Sequence, residues 1–284
     1  MKKTIKYIIL SFIINLLYIT PSSAQYSYGT TGLLHAPSAD MQKDGTFILG
    51  GSIIDVATLA GYWKNHNEYK PFTYNYYLNI TLFPWLEVSY TCTLVKGLYG
   101  STYWPEQTWG KFVNQDRSFH GRLRIWKEGW WKNWTPQIVL GLNDPGSHET
   151  HGGGDITLGG GGGGNHNYHT RYYLAATKHF NFEGIGNLGI HTAYVIGKAM
   201  SDEHYKRPSL GVNFRFHTNK ENTYLKFLNG LNLIAEYDAR TINVGGHYSL
   251  CKDYINIVAE LNNGKYFCGG IYFKIPLKKA SNID

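Results

Sequence analysis

The amino-acid sequence predicts an all-β protein, a single antiparallel outer-membrane β-barrel of about twelve strands preceded by a cleaved signal peptide. Three observations predict this fold class. Apolar and polar residues alternate in segment after segment. The N-terminus has the pattern of a secretory signal, and aromatic residues cluster where the alternating segments end. No stretch of the mature chain keeps a helical period for long.

The first 24 residues are predicted to be the signal peptide. Three lysines (Lys2, Lys3 and Lys6) precede an apolar stretch from Tyr7 to Ile19, and Ser22-Ser23-Ala24 forms a small-residue cleavage site. The apolar stretch is shorter than the roughly 20 residues that a membrane-spanning helix needs. No cysteine lies near the cleavage site, which argues against a lipoprotein. Cleavage leaves 24 of the 27 basic residues against 20 acidic ones. That excess is too small and too evenly spread to predict a nucleic-acid partner.

The lead-in segment, residues 25–45, precedes the first alternating run and is expected to lie in the periplasm or in the lumen. The barrel is predicted over residues 46–284, where about twelve runs alternate. Examples in chain order begin at Tyr74, Leu86, Arg122, Leu231, Ile255 and Phe267. In these runs Leu, Ile and Val occupy one face while Asn, Thr, Ser and charged residues occupy the other.

A soluble β-sandwich and a membrane barrel both fit such a pattern, and the aromatic residues favour the membrane barrel. Segments of about ten residues suit strands that cross a bilayer at a tilt. Tryptophan and tyrosine lie near the segment ends, as expected for girdles at the level of the lipid headgroups. These residues include Trp63, Trp85, Trp104, Trp109, Trp130, Trp131 and Trp134. The predicted location is the outer membrane of a Gram-negative bacterium, with outer-membrane lipid as one partner.

The connections are predicted to differ between the two ends of the barrel. Long loops are expected at 61–71, 97–115 and 143–169, and tight hairpins at 251–253 and 262–264. Short turns on the periplasmic side and long loops outside are typical of outer-membrane barrels. The sequence leaves open whether Cys251 and Cys268 form a disulfide.

No catalytic, cofactor-binding or metal site is predicted, and no cofactor is expected. The glycine run Gly159–Gly164 lacks the Lys-Ser/Thr of a phosphate loop, and the histidines around it fit a solvated loop better than a metal cage. Strand parity instead predicts a polar network in the lumen. Its residues are Arg122, Arg124, Arg171, Glu236, Asp238 and Arg240. These charges are expected to pair across the lumen, and the sharper hypothesis is that they line a path for a polar polymer.

Several blocks of the mature chain resemble one known family. The first block is Thr31-Gly-Leu-Leu-His-Ala-Pro-Ser-Ala-Asp-Met41, followed by Asp44-Gly-Thr-Phe47. Further blocks lie at 116–129, 136–144, 171–178 and 236–248, in the same order along the chain. The chain is similar in these blocks to YjbH-type outer-membrane proteins of Gram-negative bacteria. The resemblance implies a barrel that assists assembly or export of an exopolysaccharide, with the polysaccharide and other export proteins as partners.

The function expected from the resemblance is non-enzymatic, and two alternatives stay open. One is an outer-membrane barrel enzyme that acts on lipid or glycan. The other is a structural or adhesive surface barrel that binds partners through its long aromatic loops. The sequence leaves open which polysaccharide is handled and whether the lumen is open.

Overall fold

The structure, a computed structural model, describes residues 28–55, 73–96, 99, 105–145, 170–198, 204–218 and 227–277. The predicted signal peptide and the Gly- and His-rich stretch at 146–169 lie outside these residues. Besides a short 3-10 helix at Glu106–Thr108, the described residues form twelve strands. The strands are β1 (Thr46–Ile54), β2 (Thr73–Phe83), β3 (Leu86–Lys96), β4 (Phe112–Trp126), β5 (Gln137–Asn143), β6 (Arg171–Phe182), β7 (Gly186–Lys198), β8 (His204–Phe216), β9 (Leu231–Tyr237), β10 (Ile242–Leu250), β11 (Ile255–Asn262) and β12 (Tyr266–Pro276).

The twelve strands form one closed barrel. Each strand pairs antiparallel with its neighbours in the chain, and β12 returns to pair with β1. At that closure Thr46 lies opposite Pro276 and Gly51 opposite Ile271. Closure satisfies the backbone groups of every strand and leaves no sheet edge exposed. The predicted fold class and strand number are confirmed.

The two faces of each strand follow the predicted parity. On β2, Tyr74 and Leu78 are 40% and 41% exposed, whereas Asn75 and Asn79 are 2% and 1% exposed. On β11, Ile257 and Leu261 face outward and Asn256 and Glu260 are buried. Apolar side chains therefore cover the outside of the barrel and polar ones line the inside.

This inverted arrangement identifies an outer-membrane barrel. Exposed leucine, isoleucine and valine side chains are found on strands all round the barrel, for example Leu49, Leu140, Leu210 and Ile271. Aromatic rings gather where the strands end, such as the stacked pair Phe83 and Trp85, whose centroids are 5.1 Å apart. An apolar band between aromatic girdles matches the hydrocarbon core and headgroup layers of a bilayer.

No helix in the described ranges has both the length and the apolar character needed to cross a membrane.

The two ends of the barrel carry different connections. We call the end where β1 begins and β12 ends the lower end; its connections are 84–85, 127–136, 183–185, 217–230 and 251–254. The upper end carries the long connections 55–72, 97–111 and 144–170, and also the short ones 199–203, 238–241 and 263–265. The two tight hairpins predicted from sequence therefore lie at opposite ends. Turn length alone does not assign a connection to one end.

The hairpin between β11 and β12 shows why its sequence makes a tight turn. Asn263 and Gly264 have φ values of 52° and 63°, and the Lys265 N–H donates to the Asn262 carbonyl at 3.0 Å. Positive φ at both central residues is the type I′ geometry, which Asn-Gly favours.

None of the three cysteines forms a disulfide. Cys251 is exposed in a lower turn, whereas Cys268 is buried near the upper end of β12. Cys251 and Cys268 therefore do not form a disulfide, because they lie near opposite ends of the barrel.

Candidate functional site

The lumen is lined by polar and charged side chains that the strand parity turns inward. Among the largest fully buried side chains are Arg122, Glu87, His191 and His247, all on strands. Buried glutamate and arginine are rare unless they are paired. The hydrogen-bond and ion-pair partners of these side chains therefore show what the lumen wall binds.

The lead-in segment occupies this lumen. Residues 29–39 are all buried, and the chain turns at its tip, where the Leu33 N–H donates to the Ala36 carbonyl at 3.1 Å. We call residues 28–44 the plug. Its first residue contacts β3, since the Tyr28 carbonyl accepts from Thr91 Oγ1 at 3.1 Å. Of the two locations expected for the lead-in, the described part occupies the lumen.

The tip of the plug is bound by Glu236 on β9. The Glu236 carboxylate accepts from the backbone N–H groups of Leu34, His35 and Ala36 at 2.9, 2.7 and 3.1 Å. It also accepts from Asn243 Nδ2 on the neighbouring strand at 2.9 Å. One carboxylate thus satisfies three consecutive N–H groups of the turn, which is the strong, charge-assisted kind of hydrogen bond.

A second carboxylate and an arginine bind His35 at the same tip. His35 Nε2 lies 2.8 Å from Glu260 Oε1 and 2.9 Å from Oε2. The His35 carbonyl accepts from Arg171 Nη1 at 2.8 Å, while Arg171 Nε donates to Asn143 Oδ1 at 2.8 Å. The Arg171 guanidinium also lies 3.5 Å from the centroid of the Tyr28 ring, a cation–π contact with the start of the plug.

A buried ion pair binds both arms of the plug. Arg122 Nη1 lies 3.1 Å from Glu87 Oε2, and the two residues face each other on β4 and β3. Glu87 Oε1 accepts from the Thr31 N–H at 2.6 Å, and Arg122 Nη2 donates to the Ser38 carbonyl at 2.6 Å. The pair therefore contacts the plug on both sides of its tip, at Thr31 before the tip and at Ser38 after it.

Arg122 is positioned by Tyr173, whose ring has room only because residue 141 on the neighbouring strand is glycine. Arg122 Nε donates to the Tyr173 hydroxyl at 3.1 Å. Tyr173 lies across Gly141 of β5, and a Cβ added at Gly141 would overlap its ring. Glycine at this position lets the tyrosine lie flat over the neighbouring strand. Two other pairs repeat the arrangement, Tyr77 with Gly50 and Tyr205 with Gly197.

The foot of the plug is held near the lower end. The Ala39 N–H donates to Thr177 Oγ1 at 2.8 Å, and the Ala39 carbonyl accepts from Gln137 Nε2. Asp40 Oδ1 lies 3.4 Å from His179 Nε2, and His179 Nδ1 lies 2.7 Å from Glu128 Oε2.

Glu128 belongs to the loop 127–136 and joins that loop to the barrel. Besides His179, it accepts from Lys178 Nζ at 2.7 Å. Burial alone raises the pKa of the Glu128 carboxyl, but the hydrogen bonds from His179 and Lys178 outweigh burial and lower the pKa to about 2. The same loop exposes Trp130, Trp131 and Trp134, each 65–67% accessible.

The six residues predicted from sequence fall into three groups. Arg122, Arg171 and Glu236 lie inside the barrel and contact the plug. Arg124 donates to Gln137 Oε1 at 3.3 Å and does not reach the plug in any described contact. Asp238 and Arg240 follow the end of β9, in the turn 238–241, where Asp238 Oδ1 accepts from the Arg240 N–H at 2.9 Å. Strand parity therefore does not set the direction of these last two side chains.

The expected pairing of charges across the lumen differs from the contacts observed. Arg122 pairs with Glu87 on the adjacent strand, whereas Glu236 and Arg171 bind backbone groups of the plug. The plug fills the space between opposite walls, so charged side chains of the wall contact the plug and not the charges on the opposite wall. Sequence reasoning missed Glu87, Glu260 and His35. Glu87 could have been found, because it lies on the polar face of an alternating run.

The described residues contain no group of three or more His, Cys, Asp or Glu side chains that could hold a metal ion. The histidines of the Gly-rich stretch lie outside the part of the chain that the structure describes.

A family model matches nearly the whole chain. The family model YjbH, described as "Exopolysaccharide biosynthesis protein YbjH", matches residues 24–283. The uncharacterized lipoprotein YjbH of Escherichia coli (strain K12) is 28% identical over 123 residues, which is 43% of this chain and 15% of that protein. The chain thus matches only a small part of this relative's length.

Two solved structures share a broad likeness. The COG4313 outer membrane channel from Pseudomonas putida F1 has a TM-score of 0.42 at 8% identity, over 83% of this chain and 96% of the channel. The alcaligin outer membrane receptor FauA from Bordetella pertussis has a TM-score of 0.22 at 10% identity, over 73% of this chain and 37% of the receptor.

Proposed function

The chain belongs to the exopolysaccharide biosynthesis family YjbH, and we propose that it assists the assembly or export of an exopolysaccharide at the outer membrane without being an enzyme. The observation that carries this proposal is the family match, which spans residues 24–283 and so includes the plug and all twelve strands. Its partners are outer-membrane lipid, the polysaccharide and other proteins of the export machinery.

The lumen suits such a role because its wall is polar. Glu87, Arg122, Arg171, Glu236 and Glu260 present carboxylate and guanidinium groups on the inner face of the barrel. Such groups donate and accept many hydrogen bonds, which a hydroxyl-rich polymer can match. In the proposal these residues line or control the path of the polymer.

A deletion strain tests the proposed function. We expect loss of the gene to lower the polysaccharide at the cell surface, and the full-length chain supplied in trans to restore it. The Glu236→Ala variant should change surface polysaccharide. Glu183→Ala, which alters an exposed carboxylate in a lower turn, should behave as the wild type. Heat-modifiability on unboiled gels checks that both variants fold. Surface polysaccharide that stays the same in the deletion strain contradicts the proposal.

The non-enzymatic part of the proposal has its own test. Purified, folded barrel is incubated with outer-membrane lipid and with the isolated polysaccharide, and both are analysed by mass spectrometry. We expect neither to change in mass. A product that forms with the wild type and not with boiled protein would favour a barrel enzyme instead.

A further inference from the structure

We propose that the plug, residues 28–44, is a displaceable gate: it closes the lumen in the structure described above and leaves it to open a hydrated path through the barrel. The proposal rests on the proposed function only in taking the exopolysaccharide as the molecule that the open lumen would carry. Opening itself is a property of the barrel and is measured without any polysaccharide.

The barrel is wide enough to hold an open path once the plug has left. Twelve strands spaced about 4.8 Å apart and tilted about 40° give a backbone circumference of about 75 Å and a diameter of about 24 Å. Wall side chains fill the interior of an eight-stranded barrel, whereas barrels of sixteen strands leave an aqueous channel. A twelve-stranded barrel lies between these cases, so that removal of the plug leaves an opening along the axis.

Most of the wall groups that bind the plug also have partners within the wall. Glu87 pairs with Arg122 and accepts from Asn79 Nδ2 at 2.8 Å, and these contacts join strands of the wall. Glu236 retains Asn243, and Arg171 retains Asn143. Glu87 and Arg122 therefore keep each other as counter-ions when the plug leaves, and Glu236 and Arg171 keep an amide partner. Glu260 gives up its contact with His35, and water entering the lumen would hydrate its carboxylate.

Water entering the lumen would satisfy polar groups of the wall. Inward-facing Ser52, Thr81 and His247 each have a buried polar atom with no hydrogen-bond partner among the described residues. Buried polar groups cost free energy unless they are hydrogen-bonded, and a hydrated lumen would satisfy them. Burial of the charged groups also costs hydration, which water entering the lumen would restore. The plug itself buries few large apolar side chains, chiefly Leu33 and Leu34.

The plug is attached to the barrel wall at one junction that can act as a hinge. It continues into β1 through Gly45, whose φ is 70°, a conformation that favours glycine. Gly45 is fixed by backbone hydrogen bonds, donating to Thr81 at 2.7 Å and accepting from Leu277 at 2.7 Å. Movement about this junction breaks the contacts of residues 28–44 and leaves the strand ladder intact.

A reversible tether tests the gate. The pair Ala39→Cys and Thr177→Cys replaces the contact between the foot of the plug and β6, and Cys251→Ser removes the exposed native thiol. The full chain is folded, inserted into planar lipid bilayers, and its conductance recorded before and after reduction. We expect the oxidised protein to stay closed, and the reduced protein to open as often as the untethered one. Each single cysteine variant serves as the control and should not respond to oxidant.

A loosened plug should show the opposite behaviour. The Glu236→Ala variant is expected to raise the open fraction at least tenfold over wild type, while Glu183→Ala leaves it unchanged. Equal conductance of the oxidised and reduced tether, with tether formation verified by mass spectrometry, overturns the gate. If the deletion strain exports polysaccharide normally while the tether still controls conductance, the proposed function fails and the gate stands.

Thiol labelling decides the matter where a tethered variant does not fold. Ser38 is fully buried in the plug, so a Ser38→Cys variant in the Cys251→Ser background reacts with a membrane-impermeant maleimide only when the plug leaves the lumen. We expect slow labelling of the folded barrel and at least tenfold faster labelling when Glu236→Ala is added. A folded Ser38→Cys barrel that labels at one rate with and without Glu236→Ala overturns the proposal.

Discussion

Removal of the Glu236 carboxylate is the sharpest perturbation of the plug. In Glu236→Ala the N–H groups of Leu34, His35 and Ala36 lose their shared acceptor, and Asn243 loses a partner as well. The change leaves the outward face of β9 untouched, because Glu236 points into the lumen and is 4% exposed. Its effect should therefore fall on docking of the plug.

The magnitude follows from the three hydrogen bonds. A hydrogen bond to a charged group contributes about 1.5–3 kcal/mol. Water that enters the site recovers part of this, and we therefore expect docking of the plug to weaken by about 3 kcal/mol. Since 1.4 kcal/mol is about tenfold in an equilibrium constant, the undocked population should rise by about two orders of magnitude.

Hydrogen exchange of the folded barrel measures this directly. Peptides covering Leu34–Ala36 should exchange about 100-fold faster in Glu236→Ala than in the wild type, since local opening governs exchange of these amides. Peptides from the strands should keep their rates, and Glu183→Ala should match the wild type throughout. Equal protection of the 34–36 amides in Glu236→Ala and the wild type would refute the assignment of Glu236 as the main anchor of the tip.

Three further predictions concern the outer face, the buried ion pair and the lower rim. Leu233→Arg places a charge on the lipid face of β9, where Leu233 is 48% exposed, and should lower the free energy of unfolding by about 2–4 kcal/mol if the residue lies near the bilayer midplane. Urea titration in liposomes measures this free energy, with Leu233→Ala as the control. An equal loss of stability in both variants would contradict the assignment of Leu233 to the lipid face. Arg122→Met leaves Glu87 buried and uncompensated and should cost about 3–5 kcal/mol, most of which Arg122→Met with Glu87→Gln should recover in the same titration. A double variant as unstable as Arg122→Met alone would count against a stabilising ion pair between Arg122 and Glu87. Glu128 has its pKa lowered from 4.5 to about 2, so the ionised form stabilises loop 127–136 above about pH 4.5 and that stabilisation is lost as the pH falls through 2. Tryptophan fluorescence should follow this acid transition in the wild type and lose it in Glu128→Gln; a transition that persists there would assign it to another group.

Much of the barrel could be predicted because strand periodicity is local. Alternation at Tyr74–Leu82 and Leu86–Leu94 shows in a few consecutive residues which side chains share a face, and both runs became strands with that parity. The inverted apolar face and the aromatic residues at strand ends were likewise sufficient to indicate a membrane barrel. Parity does not apply at Asp238 and Arg240, because the strand stops at Tyr237 and both residues lie in the turn that follows, where Ala239 has a φ of 77°.

The strands, their inward and outward faces, and the polar character of the lumen can be read from the amino-acid sequence, since each depends on neighbours in the chain. What fills the lumen and which atoms the inward charges bind depend instead on how the whole chain is folded. Residues 28–44 carry no alternation, and their burial depends on the width that closure of twelve strands creates. Leu34 and Glu236 are 202 positions apart, and no local pattern links a backbone N–H in one segment to a carboxylate so distant along the chain. Contacts of that kind exist only once the barrel has closed around the plug.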